Sequence, residues 1–269
     1  MNRLLADAKI AYFFAVEKNT YLCFMIPKTI HYCWFGRGEM PDLATRCIAS
    51  WKRFLPDYEI KEWNEDNFDL SRYPYALEAY QCRRFAFVTD IVRLYALYTE
   101  GGVYMDTDVE VLKPLDPFLV HHAFSGFENE KDVPTGIMAA EKGSLWAKEN
   151  LAYYEGRHFL KGEEMDLTTN VEIITDYMVT KHGLRRDNSL QDFPGYITLY
   201  PKEYFCPLNP TTRKLELTEH TATIHHFMGS WSVNTPFSVT RKWIIRTFGK
   251  SFYDRLRSWK LKVFPKPWK

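Results

Sequence analysis

Between Arg83 and Asp108 the chain carries a block, RRFAFVTDIVRLYALYTEGGVYMDTD, that narrows its folding options more than any other stretch. Phe87, Ile91, Leu94, Tyr95 and Tyr98 repeat with the spacing of one helical face. Asp90 and Arg93, three residues apart, project from a common side of that helix. Gly101-Gly102 ends it, because glycine takes the left-handed C-terminal position without a Cβ penalty. Val103, Tyr104 and Met105 then suit a short buried strand. Asp106 and Asp108 stand at its carboxyl end, on one side of an extended chain. Two carboxylates there make a hard oxygen site for Mn²⁺ or Mg²⁺, with positions left for phosphate oxygens. A helix running straight into a buried strand calls for a sheet to receive it, so the expected class is α/β.

The flanking sequence extends that sheet. Ile26 to Gly36 reads as a first buried parallel strand ending at a glycine turn, with Trp34 at its carboxyl end and His31 within it. Pro41-Asp42 opens a helix to about Phe54, with Leu43, Cys47, Ile48 and Trp51 on its apolar face. Tyr58 to Trp63 alternates as a second strand, giving a right-handed β-α-β unit. Asn64 to Asn67 is a polar turn, and Pro74 to Gln81 a short helix. After Asp108, Val109 to Leu112 resumes a strand. Ala123 to Glu128 and Gly136 to Ala140 read as further strands of a mixed sheet. Ser144 caps a helix through Tyr154, and Thr168 or Thr169 opens another to about Val179. Tyr196 to Tyr200 is a strand. Thr221 to Trp231 is a strand ending in His225-His226 and then a turn, and adjacent histidines on a strand point to opposite faces.

With 269 residues the chain suffices for one large α/β domain with decoration. A net charge of +1 gives no electrostatic case for nucleic acid as a partner. Cys23, Cys33, Cys47, Cys82 and Cys206 are odd in number and match no zinc spacing, which fits reduced cytosolic thiols. No apolar run reaches the ~18–20 residues that span a bilayer.

The Asp-x-x-Arg helix, the Gly-Gly stop, the Tyr before Asp-x-Asp, the opening Ile-Pro-Lys-x-Ile-His-x-x-Trp-x-Gly (from Ile26) and the closing His-His-Phe-Met-Gly-Ser-Trp (from His225) together resemble glycosyltransferase family 32. That family includes bacterial surface-polysaccharide enzymes and fungal initiating mannosyltransferases, and it is related to the core of the large clostridial glucosylating toxins. The resemblance implies a GT-A-like single domain, with a Rossmann-like, mainly parallel mixed sheet flanked by helices. It implies a metal-dependent, retaining transfer of a hexose from a nucleotide-sugar, with UDP-sugars preferred over GDP-mannose. The acceptor is expected to be a lipid-linked glycan of capsular or surface polysaccharide, or of lipopolysaccharide. By position, His226 resembles the histidine that completes the metal site with Asp106 and Asp108, and an imidazole shifts preference towards Mn²⁺. Asp90, Arg93, Asp106 and Asp108 are expected to be catalytic. His31, Trp34, Asp90, Arg93, Tyr104, Asp106, Ser230 and Trp231 are expected around the donor, with Trp34 on the base and Ser230 and Trp231 over the diphosphate.

Within this scheme residues 25–235 form the transferase domain. Residues 1–24 are an extension, either upstream of the usual start or an extra helix. Residues 236–269 form a basic, aromatic helical segment. From Arg241 to Lys269 ten Lys and Arg residues face the single acid Asp254, with Trp243, Phe248, Phe252 and Trp259 interleaved. Such a segment suits either an anionic membrane surface or a helix packed on the core with a solvated basic face; the resemblance to polysaccharide transferases favours the first and implies a peripheral enzyme at the cytoplasmic face of the plasma membrane. Two rivals use the same residues: a metal-dependent nucleotide-sugar hydrolase, and a non-catalytic carbohydrate-binding module.

Overall fold

In the computed structural model, residues 25–229 are described. The expected first unit is present. Strand β1 (Thr29–Cys33), helix α1 (Asp42–Phe54) and strand β2 (Glu59–Trp63) form a β-α-β crossover, with parallel register from Thr29↔Glu59 to Cys33↔Trp63. Helix α2 (Pro74–Gln81) has proline at its first position, where no N–H is needed. Helix α3 (Phe85–Thr99) follows, and then strand β3 (Gly102–Met105). Strand β4 (Val109–Val111) leaves the central sheet, while β5 (Ala123–Gly126) and β6 (Ile137–Ala140) rejoin it.

Helix α4 (Leu145–Ala152), a small hairpin of β7 (Leu160–Lys161) and β8 (Glu164–Met165), and helix α5 (Asn170–Tyr177) cover the second half. Thr169 is the N-cap of α5, with Glu172 completing a reciprocal capping box. Ser144 precedes α4, but its side chain makes no cap bond. Strands β9 (Gln191–Phe193) and β10 (Ile197–Tyr200), the one-turn helix α6 (Lys202–Phe205) and strand β11 (Thr223–His225) complete the described chain.

The central sheet has the order β2-β1-β3-β6-β5-β10-β9. β1 is parallel to β2 and β3, and β10 to β5; β6 opposes both β3 and β5, and β9 opposes β10. Five strands, β2, β1, β3, β5 and β10, therefore share one direction, and their carboxyl ends open on one edge. This is the α/β class expected, with a mixed, mainly parallel sheet flanked by helices. β4 instead pairs antiparallel with β11, with Val109 opposite His225. Val109 to Val111 thus carries the tail of the chain to the strand ends, a role that alternation alone does not reveal.

Alternation along β3 sorts its side chains between two cores. Val103 and Met105 pack with Ile30, Trp51 and Phe124 on one face of the sheet. Tyr104 points to the other face, among Phe87, Ile91, Leu94 and the α4 residue Trp146. On the first face, Trp51 is fully buried and its indole N–H donates to the Val109 carbonyl at 2.7 Å, which ties α1 to β4.

Gly101 does end α3 in the left-handed conformation, with φ +74° and its N–H on the Leu97 carbonyl at 3.1 Å. Gly102 has a different duty. A Cβ there would lie 2.5 Å from the Thr29 carbonyl oxygen and 3.0 Å from His31 Nε2. Only glycine lets β3 start this close to β1. Gly102→Ala is therefore expected to cost about 3 kcal/mol or more, lowering the thermal midpoint by roughly 6–12 °C for a domain of this size. Thermal unfolding followed by circular dichroism measures it, and an unchanged midpoint would contradict the close approach.

Candidate active site

Asp106 to Asp108 is a tight turn, not the extended segment expected. The Val109 N–H bonds back to the Asp106 carbonyl at 2.9 Å, and the Asp106 N–H bonds to the Gly136 carbonyl at 2.8 Å. The turn sits at the carboxyl end of β3 and still brings both carboxylates to one place. Asp108 is buried; its Oδ2 accepts the Met228 N–H at 2.6 Å and its Oδ1 lies 3.4 Å from His225 Nε2. Gly136 forms a wall of the site: a Cβ there would stand 3.1 Å from both Asp106 Oδ2 and His225 Cε1.

The histidine facing the carboxylates is His225, where the sequence pointed to His226. β11 pairs with β4 so that His225 is opposite Val109, and the strand then turns its neighbour outward. His226 Nε2 instead meets Glu110 Oε2 at 2.8 Å, and its backbone N–H bonds to the Asp108 carbonyl at 3.0 Å. Opposite facing was foreseen; which histidine faces inward depends on the register with β4. Burial alone would lower the His225 pKa, but Asp108, with a smaller contribution from Cys206, raises it well above the usual imidazole value. Burial opposes ionisation of Asp108 too, yet the His225 hydrogen bond and charge and the Met228 N–H hold its pKa below the usual carboxylate value.

Arg93 lies beside this turn. Its Nη2 is 3.3 Å from Asp90 Oδ1 and 3.3 Å from Asp106 Oδ1, and its guanidinium carbon is 4.8 Å from the centre of the Tyr104 ring. The Tyr104 hydroxyl donates to Asp106 Oδ1 at 2.9 Å. Arg93 also donates to the Thr89 carbonyl and hydroxyl, at 3.2 and 3.1 Å, one turn back along α3. Asp90 pays most for this placement: burial pushes its carboxyl up to about 6, despite Arg93 and the Asn170 N–H, with Asp106 adding to the rise.

His31 belongs to the core rather than to the site. His31 is fully buried, with Nε2 2.7 Å from the Gly101 carbonyl and Nδ1 accepting the Trp63 indole N–H at 3.1 Å. Both ring nitrogens are spent on holding β1, β2 and the α3–β3 junction together, so it does not reach a donor. Trp34 is partly exposed just past β1, its indole N–H on the Gly38 carbonyl at 2.7 Å. Ser230 and Trp231 lie outside the described residues, as do residues 1–24 and the basic segment 236–269.

Three further residues belong to the site. Asn170, the first residue of α5, is buried; its N–H serves Asp90, its Nδ2 donates to the Tyr154 hydroxyl at 3.1 Å, and its Oδ1 has no protein partner. Glu128, two residues past β5, feels the charges of His225, Asp106, Asp132 and Arg93; burial pushes its carboxyl up to about 7. Thr135, next to Gly136, has a buried hydroxyl without a partner. In the sequence Glu128 reads only as the last residue of a strand. Asn170 and Thr135 carried no sequence signal beyond a helix start and a loop.

Asp106, Asp108 and His225 each offer one ligand atom, all within 4.8 Å of one another, and they are the group of this kind found among the described residues. Two carboxylates and an imidazole suit a divalent cation such as Mn²⁺ or Mg²⁺. The buried His225 Nδ1 has no hydrogen-bond partner, which fits a ring whose second nitrogen is also available.

Residues 41–125 match the family model described as the glycosyltransferase sugar-binding region containing the DXD motif. The matched region runs from the start of α1 into β5. It holds Asp90, Arg93, Tyr104, Asp106 and Asp108, while Glu128, Asn170 and His225 lie beyond it. Inositol phosphoceramide mannosyltransferase 3 of Schizosaccharomyces pombe is 31% identical over 122 residues, 44% of this chain and 34% of that protein. Inositol phosphoceramide mannosyltransferase 1 of the same yeast is 29% identical over 184 residues, 58% of this chain and 54% of its own length. The chain thus spans about a third to a half of these relatives. Among solved structures, PaToxG glycosyltransferase aligns with a TM-score of 0.46 at 18% identity, over 65% of this chain and 75% of its own.

The sugar-binding region supplies two carboxylates, and β11 supplies the imidazole. His225→Ala is therefore expected to weaken Mn²⁺ binding by at least the ~10–100-fold that loss of an outer-shell partner brings, with His226→Ala close to wild type. Isothermal titration with MnCl₂ measures both. Equal losses, or loss in His226→Ala alone, would restore the other histidine.

Proposed function

We propose that this protein is a metal-dependent glycosyltransferase that moves a hexose from a nucleotide-sugar to a glycan acceptor. The observation that carries the reading is the convergence of Asp106, Asp108 and His225 within 4.8 Å, beside the Arg93–Asp90 pair, on the strand edge that receives ligands. Asp106, Asp108 and His225 would hold Mn²⁺ or Mg²⁺, which supplies charge neutralisation for the departing diphosphate.

Arg93 is held rigidly by Thr89, Asp90, Asp106 and the Tyr104 ring, so its charge is aimed before substrate arrives. Asp90 and the unpaired Asn170 Oδ1 are acceptors for donor-sugar hydroxyls. In the transfer, the bond from the anomeric carbon to the diphosphate oxygen breaks with its electron pair going to the nucleoside diphosphate. The bond to the acceptor oxygen forms, and the acceptor proton passes to the released diphosphate or to water. Retention of configuration is carried over from the family resemblance. The relatives' names put mannose beside the UDP-hexoses as a donor sugar to test, and their ceramide-based names support a lipid-linked acceptor.

A panel of UDP- and GDP-sugars, scored for Mn²⁺-dependent nucleotide release, tests the reading. Asp108→Asn should lose at least ~10²-fold of that release, the scale of removing a key electrostatic stabiliser. Turnover with every donor unaffected by Mn²⁺ or by this change would overturn it.

Asp90 gives a second, independent check. A folded-state pKa of about 6 against an ordinary 3.8 means that its charge costs stability once the pH rises through this window. At pH 7.5 metal-free Asp90→Asn is expected to be on the order of 1–3 kcal/mol more stable than wild type, and much less active. The advantage should vanish below about pH 4, where the carboxyl is protonated in both folded and unfolded states. Urea titrations at the two pH values measure it.

We place the enzyme at the cytoplasmic face of the plasma membrane, held by the basic segment 236–269. The support is its sequence, ten basic residues against one acid from Arg241 onwards. Among the described residues no helix is long and apolar enough to cross a membrane. Sedimentation with anionic liposomes across a salt series is expected to show binding at low salt that zwitterionic liposomes lack. Equal, negligible binding to both would remove the membrane from this reading.

A further inference from the structure

Past the carboxyl ends of β5 and β10 the chain leaves an open cleft. It is lined by Glu128, Asn129 and Glu130 after β5, by Lys202 and Cys206 after β10, and by the outer loop from Pro207 to Glu216. β5 and β10 run in the same direction as β3, so the cleft and the Asp106–Asp108 turn share one edge of the sheet. Three side chains link them. Glu128 interacts with the charges of His225 and Asp106. Cys206 is among the groups that favour the charged form of His225. Arg213, on the outer loop, donates to the His226 carbonyl at 2.8 Å.

The lining excludes one class of ligand and suits another. Its cations are already neutralised: Lys202 pairs with Glu130, and Lys214 with Glu216 at 2.6 Å. A nucleoside diphosphate needs uncompensated positive charge and finds none there. A hexose ring offers hydroxyls to Glu128, Asn209 and Thr212 and an apolar face to Pro207, Leu208 and Pro210. The outer wall is built in advance. Leu208 and Leu215 form a bridge, the Asn209 N–H bonds to the Lys214 carbonyl at 2.9 Å, and Asn209 Oδ1 accepts the N–H groups of Thr211 and Thr212, both at 2.9 Å. Little ordering is left to be done on binding.

We propose that this cleft is the acceptor subsite, taking a neutral hexose unit of the glycan and leading it to the Asp106–Asp108–His225 cluster, with Glu128 at the junction. The proposal rests on the glycosyl-transfer reading for its purpose, and on the cleft itself for its ligand class.

The test uses the full chain with Mn²⁺ and a panel of methyl hexosides (mannoside, glucoside, galactoside and N-acetylglucosaminide). Lys214→Trp and Pro210→Trp each fill the cleft from the Pro207–Glu216 loop, and Lys214→Ala opens it. Lys214 is largely exposed, so its replacement leaves the core alone. Saturation-transfer NMR without nucleotide reads hexoside binding. Nucleotide release from a nucleotide-sugar, with and without hexoside, reads transfer.

Wild type and Lys214→Ala are expected to bind at least one hexoside, and each tryptophan variant to lose at least ~10-fold in affinity, about 1.4 kcal/mol. Hexoside-stimulated release should fall in parallel, with donor-only release retained. Equal hexoside binding in the tryptophan variants, or none to wild type, would overturn the proposal. Absence of nucleotide release from every form would instead strike the transferase reading, while the NMR arm still decides whether the cleft takes a hexose.

Discussion

The arrangement at the strand edge depends on one buried guanidinium. Arg93 is the common neighbour of Asp90 and Asp106, each 3.3 Å away, and it covers the ring of Tyr104. Without it two buried or half-buried acids would face each other across α3 and β3, at a cost of several kcal/mol per ion. With it, the end of β3 is tied to the middle of α3 by charge as well as by packing. The planar fork suits this bridging role in a way a lysine would not.

The same cluster is poor for stability and good for binding. Asp90, Asp106 and Asp108 outnumber Arg93, and a proton on His225 makes up part of the difference. Burial raises the Asp90 carboxyl to about 6 against the pull of Arg93, and Asp106 adds to the rise. A site assembled this way gains from a divalent cation and a phosphate-bearing ligand more than a neutral core would. That is the physical sense in which a folding cost is retained for function. The elements around the site are tied together by close approach and hydrogen bonds. Gly102 lets β1 and β3 close up, His31 spends both nitrogens behind them, and Thr175 pins the loop before β6 by exchanging hydrogen bonds with Val133 at 2.9 and 2.7 Å.

The sheet's directionality then divides the labour. β1 and β3 bring Trp34, Tyr104 and the Asp106–Asp108 turn to one part of the edge, while β5 and β10 bring Glu128 and the polar cleft to the next. β11 crosses between them through its pairing with β4 and delivers His225. A short tail strand outside the central sheet therefore completes a cluster begun by the central block of the chain.

Periodicity and glycine placement were enough to read the β-α-β start, α3, the break at Gly101, and a buried strand with two acids at its end. Those features are local: helix spacing, alternation and the left-handed residue are set within a few neighbours. The partnership of Asp90, Arg93 and Asp106 was also foreshadowed, because a three-residue helical spacing fixes which side chains share a face. The inward histidine was not legible. Whether His225 or His226 turns inward follows from the register of β11 on β4, a pairing across more than a hundred residues that neither strand encodes alone. Asn170, Glu128 and Gly136 escaped for the same reason. Each is an ordinary cap, strand end or loop residue until the sheet order brings it to the edge where Asp106 and Asp108 stand. His31 went the other way: a residue type suited to a site, withdrawn into the core because Gly101 and Trp63 offered both of its nitrogens partners out of water's reach.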